Sequence, residues 1–319
     1  MKVSVIIPTH NRALVLRDAL LSLEKQTLSK DDFEVIVVDN TSSDNTQGIV
    51  EEFKTRSDLN VLYVREDRLG LHYTRHTGAK AASTDILVFT DDDMDFDTHW
   101  LEALWNAFKS DSTIDCAGGK ILIRWDSEPP SWILPYESVL GRLDYGPEMR
   151  ILSPFNLING GSFCIKKKRL YEAGGFNPDQ VNDILIGDGE TGLCYKIHQA
   201  GWKMVWVPDS LTWHLQKVGK NATLSDMKRR FANNGVVSVY HYFKYFHPSR
   251  WKLLYLSIYN YYRFFRCYCL SLMSWYTKRE RAISRQLAGA LHKERGRYLF
   301  SLIFNRELRS LVRKDDWLC

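Results

Sequence analysis

Ile86-Leu87-Val88-Phe89-Thr90-Asp91-Asp92-Asp93 sets a short apolar run directly against three consecutive carboxylates. Such a run reads as a strand buried on both faces. Three adjacent carboxylates repel one another, which raises their pKa values and destabilises the site unless a cation offsets the charge. Magnesium or manganese prefers carboxylate oxygens and bridges to phosphate at the same time. The alternative is a solvated acidic turn or a helix cap. A position just behind a buried strand of an alternating chain favours the metal.

The preceding residues supply that alternation. Val3–Ile7, Glu34–Val38 and Val61–Val64 read as strands, and Ala13–Gln26, a segment capped by Ser43 and Asp44 that runs to about Phe53, and Thr74–Ala82 read as helices. Strands alternating with helices predict a mainly parallel α/β sheet covered on both faces. Ligands of such sheets bind beyond the carboxyl ends of the strands. Thr9, Asp39 and Asp91–Asp93 should therefore share one edge. Farther on, Lys120–Trp125, Ile158–Lys166 and Lys203–Pro208 read as strands, and Asp188–Gln199 reads as a helix.

Several polar residues carry two readings each. Asp39 can accept hydrogen bonds from a ribose or base, or cap a helix. Thr9, Asn11 and Arg12 follow the first strand, where a phosphate or base edge could be met. Arg75 and Lys80 could steady a diphosphate or form a solvated face, and spacing alone does not decide. Glu190 could take a proton from an attacking hydroxyl or complement a helix dipole as a first-turn acid. His214 is a structural histidine or the completion of a metal shell.

Composition bounds the rest. The 319 residues, 45% hydrophobic and 25% charged, suit a globular chain with a sizeable core. Residues 220–319 carry 20 Lys and Arg against 6 Asp and Glu, a net +14, while the remainder is −9. The same stretch holds 20 of the 41 aromatic residues, so the two regions have different jobs. The cysteines Cys116, Cys164, Cys194, Cys267, Cys269 and Cys319 form no C-x-x-C pair, which argues against zinc and for reduced thiols in a cytosolic setting. Buried thiols are expected at Cys267 and Cys269 rather than lipidation. No secretory leader is expected, and Lys252, Arg263 and Arg266 interrupt the apolar stretch 251–277, so no spanning helix is expected.

Taken together the motifs resemble glycosyltransferase family 2. Val5-Ile6-Ile7-Pro8-Thr9-His10-Asn11-Arg12 looks like its opening, and Val37-Val38-Asp39-Asn40 with Ser43-Asp44-Asn45-Thr46 looks like its second signature. Arg75-His76-Thr77-Gly78-Ala79 and Phe89-Thr90-Asp91-Asp92-Asp93 resemble the approach to the D-x-D motif and the motif itself. Asn159-Gly160-Gly161-Ser162-Phe163, Gly174-Gly175-Phe176, Glu190-Thr191-Gly192-Leu193, Gly201, Pro208 and His214 resemble the acceptor-side segment and the catalytic-base helix with its sequel. The likeness covers roughly residues 1–215.

It implies a GT-A fold over 1–219, with a nucleotide-binding half at 1–110 and an acceptor half at 111–219, followed by a helical, basic-aromatic extension at 220–319. It also implies inverting transfer of a sugar from a nucleotide-sugar, written here as a UDP-sugar, to a hydroxyl of a glycan or lipid-linked acceptor. Pro8, Thr9, Asn11, Arg12, Asp39, Arg75, Asp91 and Asp92 would hold the donor. Asp93, with His214 and Asp91, would hold Mn2+ or Mg2+. Gly160, Gly161 and Trp213 would face the acceptor, and Glu190 would be the base. The family often shows Glu-Asp at the base; here Gly189 precedes Glu190, and Asp188 stands as the alternative.

In the extension, the aromatic and basic residues of Tyr240–Tyr276 suit either an interfacial helix on anionic lipid or a subdomain packed on the core. The expected place is the cytoplasmic face of a membrane, with no nucleic-acid partner. A nucleotidylyltransferase would want a Gly-rich phosphate loop, which Pro8-Thr9-His10-Asn11-Arg12 lacks. A catalytically silent sugar-nucleotide-binding scaffold is the rival from another class.

Overall fold

The computed structural model describes residues 1–154, 156–181, 184–274 and 278–318. Cys319, Trp275 and Tyr276, counted above in the extension, lie outside the described residues. The first third alternates as the sequence predicts: β1 (Val3–Thr9), α1 (Ala13–Leu23), β2 (Phe33–Asp39), α2 (Thr46–Arg56), β3 (Asn60–Arg65), α3 (Leu71–Ala81) and β4 (Ile86–Phe89). Then follow β5 (Met94–Phe96), α4 (Trp100–Ser110), β6 (Ile114–Trp125), β7 (Arg150–Ile151), β8 (Phe163–Lys166), α5 (Lys167–Glu172), the small pair β9 (Gln180–Val181) and β10 (Ile184–Leu185), α6 (Gly189–Gln199) and β11 (Lys203–Gln216).

The main sheet runs β3-β2-β1-β4-β8-β6-β11-β5, with β7 beside β11. Its first four strands are mutually parallel. β8 lies antiparallel between β4 and β6, and β6 and β11 are parallel to each other. Parallel β1, β2 and β4 bring Thr9, Asp39 and Asp91–Asp93 to one edge. Every residue of β1 and β2 is buried, because helices cover both faces. The period of two sends Val3, Val5, Ile7, Val35 and Val37 into the core under α1, α2 and α4. Ile6, Ile36 and Val38 enter the core on the side of α3 and α6.

Three strand boundaries differ from expectation. Only Phe163–Lys166 of the expected strand 158–166 is extended, because Asn159 Oδ1 accepts from the Gly161 N–H at 2.9 Å and bends the chain into a turn. β6 begins at Ile114 rather than Lys120. β11 continues past Pro208 to Gln216, and the proline falls where the pairing with β6 slips between Val207 and Leu211. A residue without an N–H is tolerated at such an irregularity.

Beyond β11 the chain is helical: α7 (Val218–Asn221), α8 (Leu224–Phe246), α9 (Arg250–Ser274), α10 (Arg279–Phe304) and α11 (Arg306–Arg313). Thr223 caps α8 by accepting from the Asp226 N–H at 3.2 Å. Two apolar clusters seat this unit on the sheet part. Ile186 packs with Val236, Tyr240, Phe243, Tyr298 and Val312. Ile133 and Leu140 pack with Met227, Ile283 and Leu287. The aromatics of the extension thus divide, with Tyr240, Phe243 and Tyr298 buried and Trp251, Tyr255, Tyr262, Phe265 and Tyr268 of α9 exposed. No helix among the described residues is long and apolar enough to cross a membrane.

α3 reaches β1 closely because Gly78 has no side chain. A Cβ there would stand 2.4 Å from Ile6 Cγ2 and 3.1 Å from Val38 Cγ2. Overpacking of this kind costs roughly 1–3 kcal/mol, against about 1 kcal/mol of helix propensity gained from alanine. Gly78→Ala is therefore expected to lower the urea midpoint, and a midpoint at or above that of the wild type would contradict the close α3–β1 contact.

Candidate active site

The acidic run leaves β4 at the sheet edge and is held by cations from other elements. Arg12, at the start of α1, donates from Nη1 to Asp92 Oδ1 at 2.6 Å and from Nη2 to Asp93 Oδ2 at 2.7 Å. Thr9, at the end of β1, donates to Asp92 Oδ2 at 2.7 Å. Arg75 of α3 approaches Asp91 Oδ1 to 3.6 Å. His214 of β11 places Nε2 3.3 Å from Asp93 Oδ1. Burial pushes the Asp92 carboxyl up to about 7 despite the opposing pull of Arg12. Burial also raises Asp91. Asp93 lies well below the usual carboxylate range because the hydrogen bond and charge of His214, with Arg12, outweigh burial. His214 is raised in turn, since Asp93 overcomes the opposing effect of burial.

Thr9, Arg12, Asp91, Asp92, Asp93 and His214 line a cavity of about 410 Å³ with Pro8, His10, Asn40, Leu71, Thr74 and Arg230, while Arg75 lies behind its wall, buried against Asp91. A second cavity of about 700 Å³ adjoins it through Arg12 and Asp93 and continues past Asn11, Asp44, Lys217 and Lys220. A separate basic hollow of about 630 Å³ is formed by α11 and Lys314 and contains no carboxylate or histidine, so it offers no acid–base chemistry.

The loops at the mouth are pinned by side chains. Asn11 sits at φ 53° and its Oδ1 accepts from the Ser43 N–H at 2.7 Å. Asparagine enters the left-handed region at low cost. Thr41, at φ 60°, does so against the preference of a β-branched residue. Asp44 accepts from the Ala13 N–H at 3.0 Å and the Thr46 N–H at 3.1 Å, so one carboxylate holds the starts of both α1 and α2. Asp39 is buried behind this loop, with Oδ1 accepting from the Ser42 N–H at 2.8 Å and Oδ2 from Tyr63 Oη at 2.6 Å. It does not line the cavity.

Glu190, in the first turn of α6, accepts from Arg75 Nη1 at 3.2 Å. Arg75 is buried and stacks its guanidinium over Phe176, 4.9 Å from the ring centroid. Gly160 leaves the room for it, since a Cβ there would stand 2.2 Å from Arg75 Nη2. Gly161 supports the floor, its carbonyl accepting from Thr90 Oγ1 at 2.8 Å. Arg75 thus joins the acidic run to Glu190 across the sheet edge.

Asp188 goes elsewhere. It is 3% exposed, accepts from Asn177 Nδ2 at 2.8 Å, and has no partner for Oδ2 among the described residues. Burial pushes it up to about 7. Trp213 neighbours His214 on β11, so the pleat sends it to the opposite face, where Arg124 stacks on it at 4.2 Å. It lines neither cavity. Lys80 is exposed at the end of α3, with no ion pair among the described residues. Two groups were not legible in the sequence. Asp179 sits close enough to couple to Glu190 and Arg75, and burial pushes it up to about 6. Arg230 reaches the cavity from α8, which no local pattern announces.

The family model described as Glycosyl transferase family 2 matches residues 4–173, more than half of the chain. The chain belongs to that family. Curated relatives include glycosyltransferase AglE of Haloferax volcanii, 35% identical over 37% of this chain and 39% of that protein. Chondroitin synthase of Escherichia coli is 26% identical over 68% of this chain and 35% of that protein. The chain thus spans well under half the length of each. Among solved structures, the mannosyltransferase PcManGT from Pyrobaculum calidifontis, in complex with GDP-Man and Mn2+, superposes with a TM-score of 0.56 at 24% identity, covering 78% of this chain and 65% of that one. GalNAc-T7 with UDP, GalNAc and Mn2+ gives 0.54 at 24% identity, over 67% and 43%. The sheet is that of a GT-A fold, with the helices from α8 onward as its C-terminal extension.

The burial of Asp188 has a measurable consequence. Its folded pKa lies above the unfolded value near 3.9, so the native state is penalised above about pH 7 and relieved as pH falls toward 4. Asp188→Asn should raise the Tm relative to wild type at pH 8, with the gap shrinking toward pH 4. A gap independent of pH would mean that the carboxylate is not buried in charged form.

Proposed function

We propose that the chain catalyses inverting transfer of a sugar from a nucleoside-diphosphate sugar to a hydroxyl acceptor. The observation that carries this reading is the placement of Glu190 beside Arg75, which itself approaches Asp91 at the rim of the acid-lined cavity. One carboxylate suffices for a single in-line displacement. Glu190 takes the proton of the acceptor hydroxyl while that oxygen attacks the anomeric carbon from the face opposite the diphosphate. The bond from the anomeric carbon to the phosphate oxygen breaks, and its electron pair leaves with the nucleoside diphosphate. Arg75 orients Glu190, and Gly160 keeps the approach to it open. Pro8, Thr9, Asn11, Arg12, Asp91 and Asp92 form the donor side, while Asp39 supports the 40–44 loop from behind.

Among the described residues no three metal-ligating groups stand together at ligand spacing. Asp93 and His214 nevertheless fit a divalent cation as a two-residue site. The His214 Nδ1 lies 2.7 Å from the Leu140 carbonyl, which can only accept, so Nδ1 carries a proton, and Nε2, which faces Asp93, would become a ligand on giving up its own proton to make room for the ion. Magnesium and manganese sites commonly combine one or two protein ligands with substrate phosphates and water. Asp93 and His214 would hold the ion, with Asp91 at its edge, and the ion would supply Lewis-acid stabilisation of the charge on the departing diphosphate.

The decisive measurement is nucleoside-diphosphate release from a panel of UDP- and GDP-sugars with manganese. Release from one donor, abolished by EDTA, lowered at least about 100-fold in Glu190→Gln and retained in Asp188→Asn, is the expected result. Donor binding without turnover, even with membrane lipid extract as acceptor, would instead favour the silent scaffold.

We also infer that α9 rests on an anionic bilayer at the cytoplasmic face. Trp251, Tyr255, Ile258, Tyr262 and Phe265 form an exposed stripe at spacings of three and four, and Lys252, Arg263 and Arg266 stand beside it on a region of net charge +14. Rings at headgroup depth with cations on anionic lipid are the signature of an interfacial helix. The protein should sediment with vesicles of phosphatidylglycerol and phosphatidylcholine, and Tyr262→Glu with Phe265→Glu should return it to the supernatant. Equal recovery of wild type with and without vesicles would remove this inference.

A further inference from the structure

The donor cavity is closed on one side by a residue of the helical extension. Arg230 of α8 lines it together with Thr74, Asp91, Asp92, Asp93 and His214. It lies outside the segment 4–173 that matches the family. Its side chain is 22% exposed, and its Nε donates to Asp226 Oδ2 at 2.7 Å, one helical turn back. That carboxylate is in turn shared with Arg229 at 2.6 Å. Asp226 thus holds the guanidinium by one edge, and neither Nη of Arg230 has a protein partner among the described hydrogen bonds.

The other guanidiniums at the site are already committed. Arg12 spends its two Nη groups on Asp92 and Asp93. Arg75 is buried between Glu190 and Asp91. A diphosphate entering beside three carboxylates meets like charge, and it needs a cation whose donors are still free. A planar fork with two available Nη groups matches two phosphate oxygens at once. Lys217 and Lys220 also approach, but they line the adjoining cavity.

We propose that Arg230 is a donor-binding residue that grips the diphosphate of the nucleotide and stabilises it as it leaves, so that the helical extension completes the active site. This rests on the reading of the cavity as a nucleotide-sugar site. Arg230 acts on the phosphates, Asp226 sets its orientation, and the seating of α8 on the sheet part sets the distance of both from the acidic run.

The test compares binding of UDP, GDP, uridine and guanosine to full-length wild type, Arg230→Ala, Arg230→Gln, Arg230→Lys and Asp226→Asn in the presence of manganese, with thermal melts on each. A charged hydrogen-bonding contact of this kind is worth about 10- to 100-fold in affinity. Arg230→Ala and Arg230→Gln should lose that much for the diphosphate and nothing for the nucleoside. Arg230→Lys should recover part of the loss, and Asp226→Asn should fall between wild type and Arg230→Ala. Unchanged diphosphate affinity in Arg230→Gln, or an equal loss for nucleoside and diphosphate, would overturn the proposal. Wild type that binds neither diphosphate would remove the nucleotide reading of the cavity and this proposal with it. Normal diphosphate binding without sugar transfer would overturn the transferase reading and leave the assignment of Arg230 intact.

Discussion

Three carboxylates at consecutive positions on the end of a buried strand repel one another, and much of the site follows from how that charge is balanced. Asp92 is 3% exposed, so water screens it poorly and the balancing charges must come from the protein. They come from three directions: Arg12 at the start of α1, Arg75 from α3 and His214 from β11, while Arg230 of α8 lines the same cavity paired to Asp226. Each element is fixed by its own apolar packing, so cations distant in sequence meet at one place. Strand order does the rest, since β1 and β4 are parallel neighbours with Ile6 opposite Phe89, so that Thr9 comes level with the acidic run that follows β4.

The same balance divides the carboxylates by role. Asp93 is held ionised between His214 and Arg12, whereas burial pushes Asp92 and Asp188 upward. Glu190 keeps contact with Arg75 and remains partly open to solvent, with 26% of its side chain exposed. A carboxylate that stays in reach of solvent can exchange protons with a bound hydroxyl. Asp188, almost fully buried beside Asn177, has its pKa raised by burial and so adds a pH-dependent contribution to the stability of the fold.

The extension joins two environments. Its buried aromatics, Tyr240, Phe243 and Tyr298, meet Ile186 just before α6, the helix that carries Glu190. Lys244 bonds the carbonyls of Val312 and Lys314, and the chain that follows returns to the sheet part, where the Trp317 N–H donates to the Gly174 carbonyl at 2.9 Å. Lys196 of α6 donates to the Asp315 carbonyl at 2.8 Å, so the described C-terminal residues clasp the same helix. α9 sends Leu253 into the same apolar cluster and presents Trp251, Tyr255, Tyr262 and Phe265 outward.

The sequence by itself determined the alternating strands and helices, the edge where Thr9, Asp39 and the acidic run emerge, and the family. Periodicity and turn chemistry are local, and the motifs are read in order along the chain. It left Glu190 and Asp188 side by side, two residues apart and chemically alike. Tertiary structure separated them, because the positive φ of 63° at Gly187 and 42° at Gly189 turns the chain so that one carboxylate meets Arg75 and the other Asn177. It also turned Trp213 to the face of β11 opposite His214, occupied both oxygens of Asp39, and brought Asp179 and Arg230 to the site. These outcomes depend on contacts between residues far apart in the chain, and such contacts leave no period or spacing in the sequence to read.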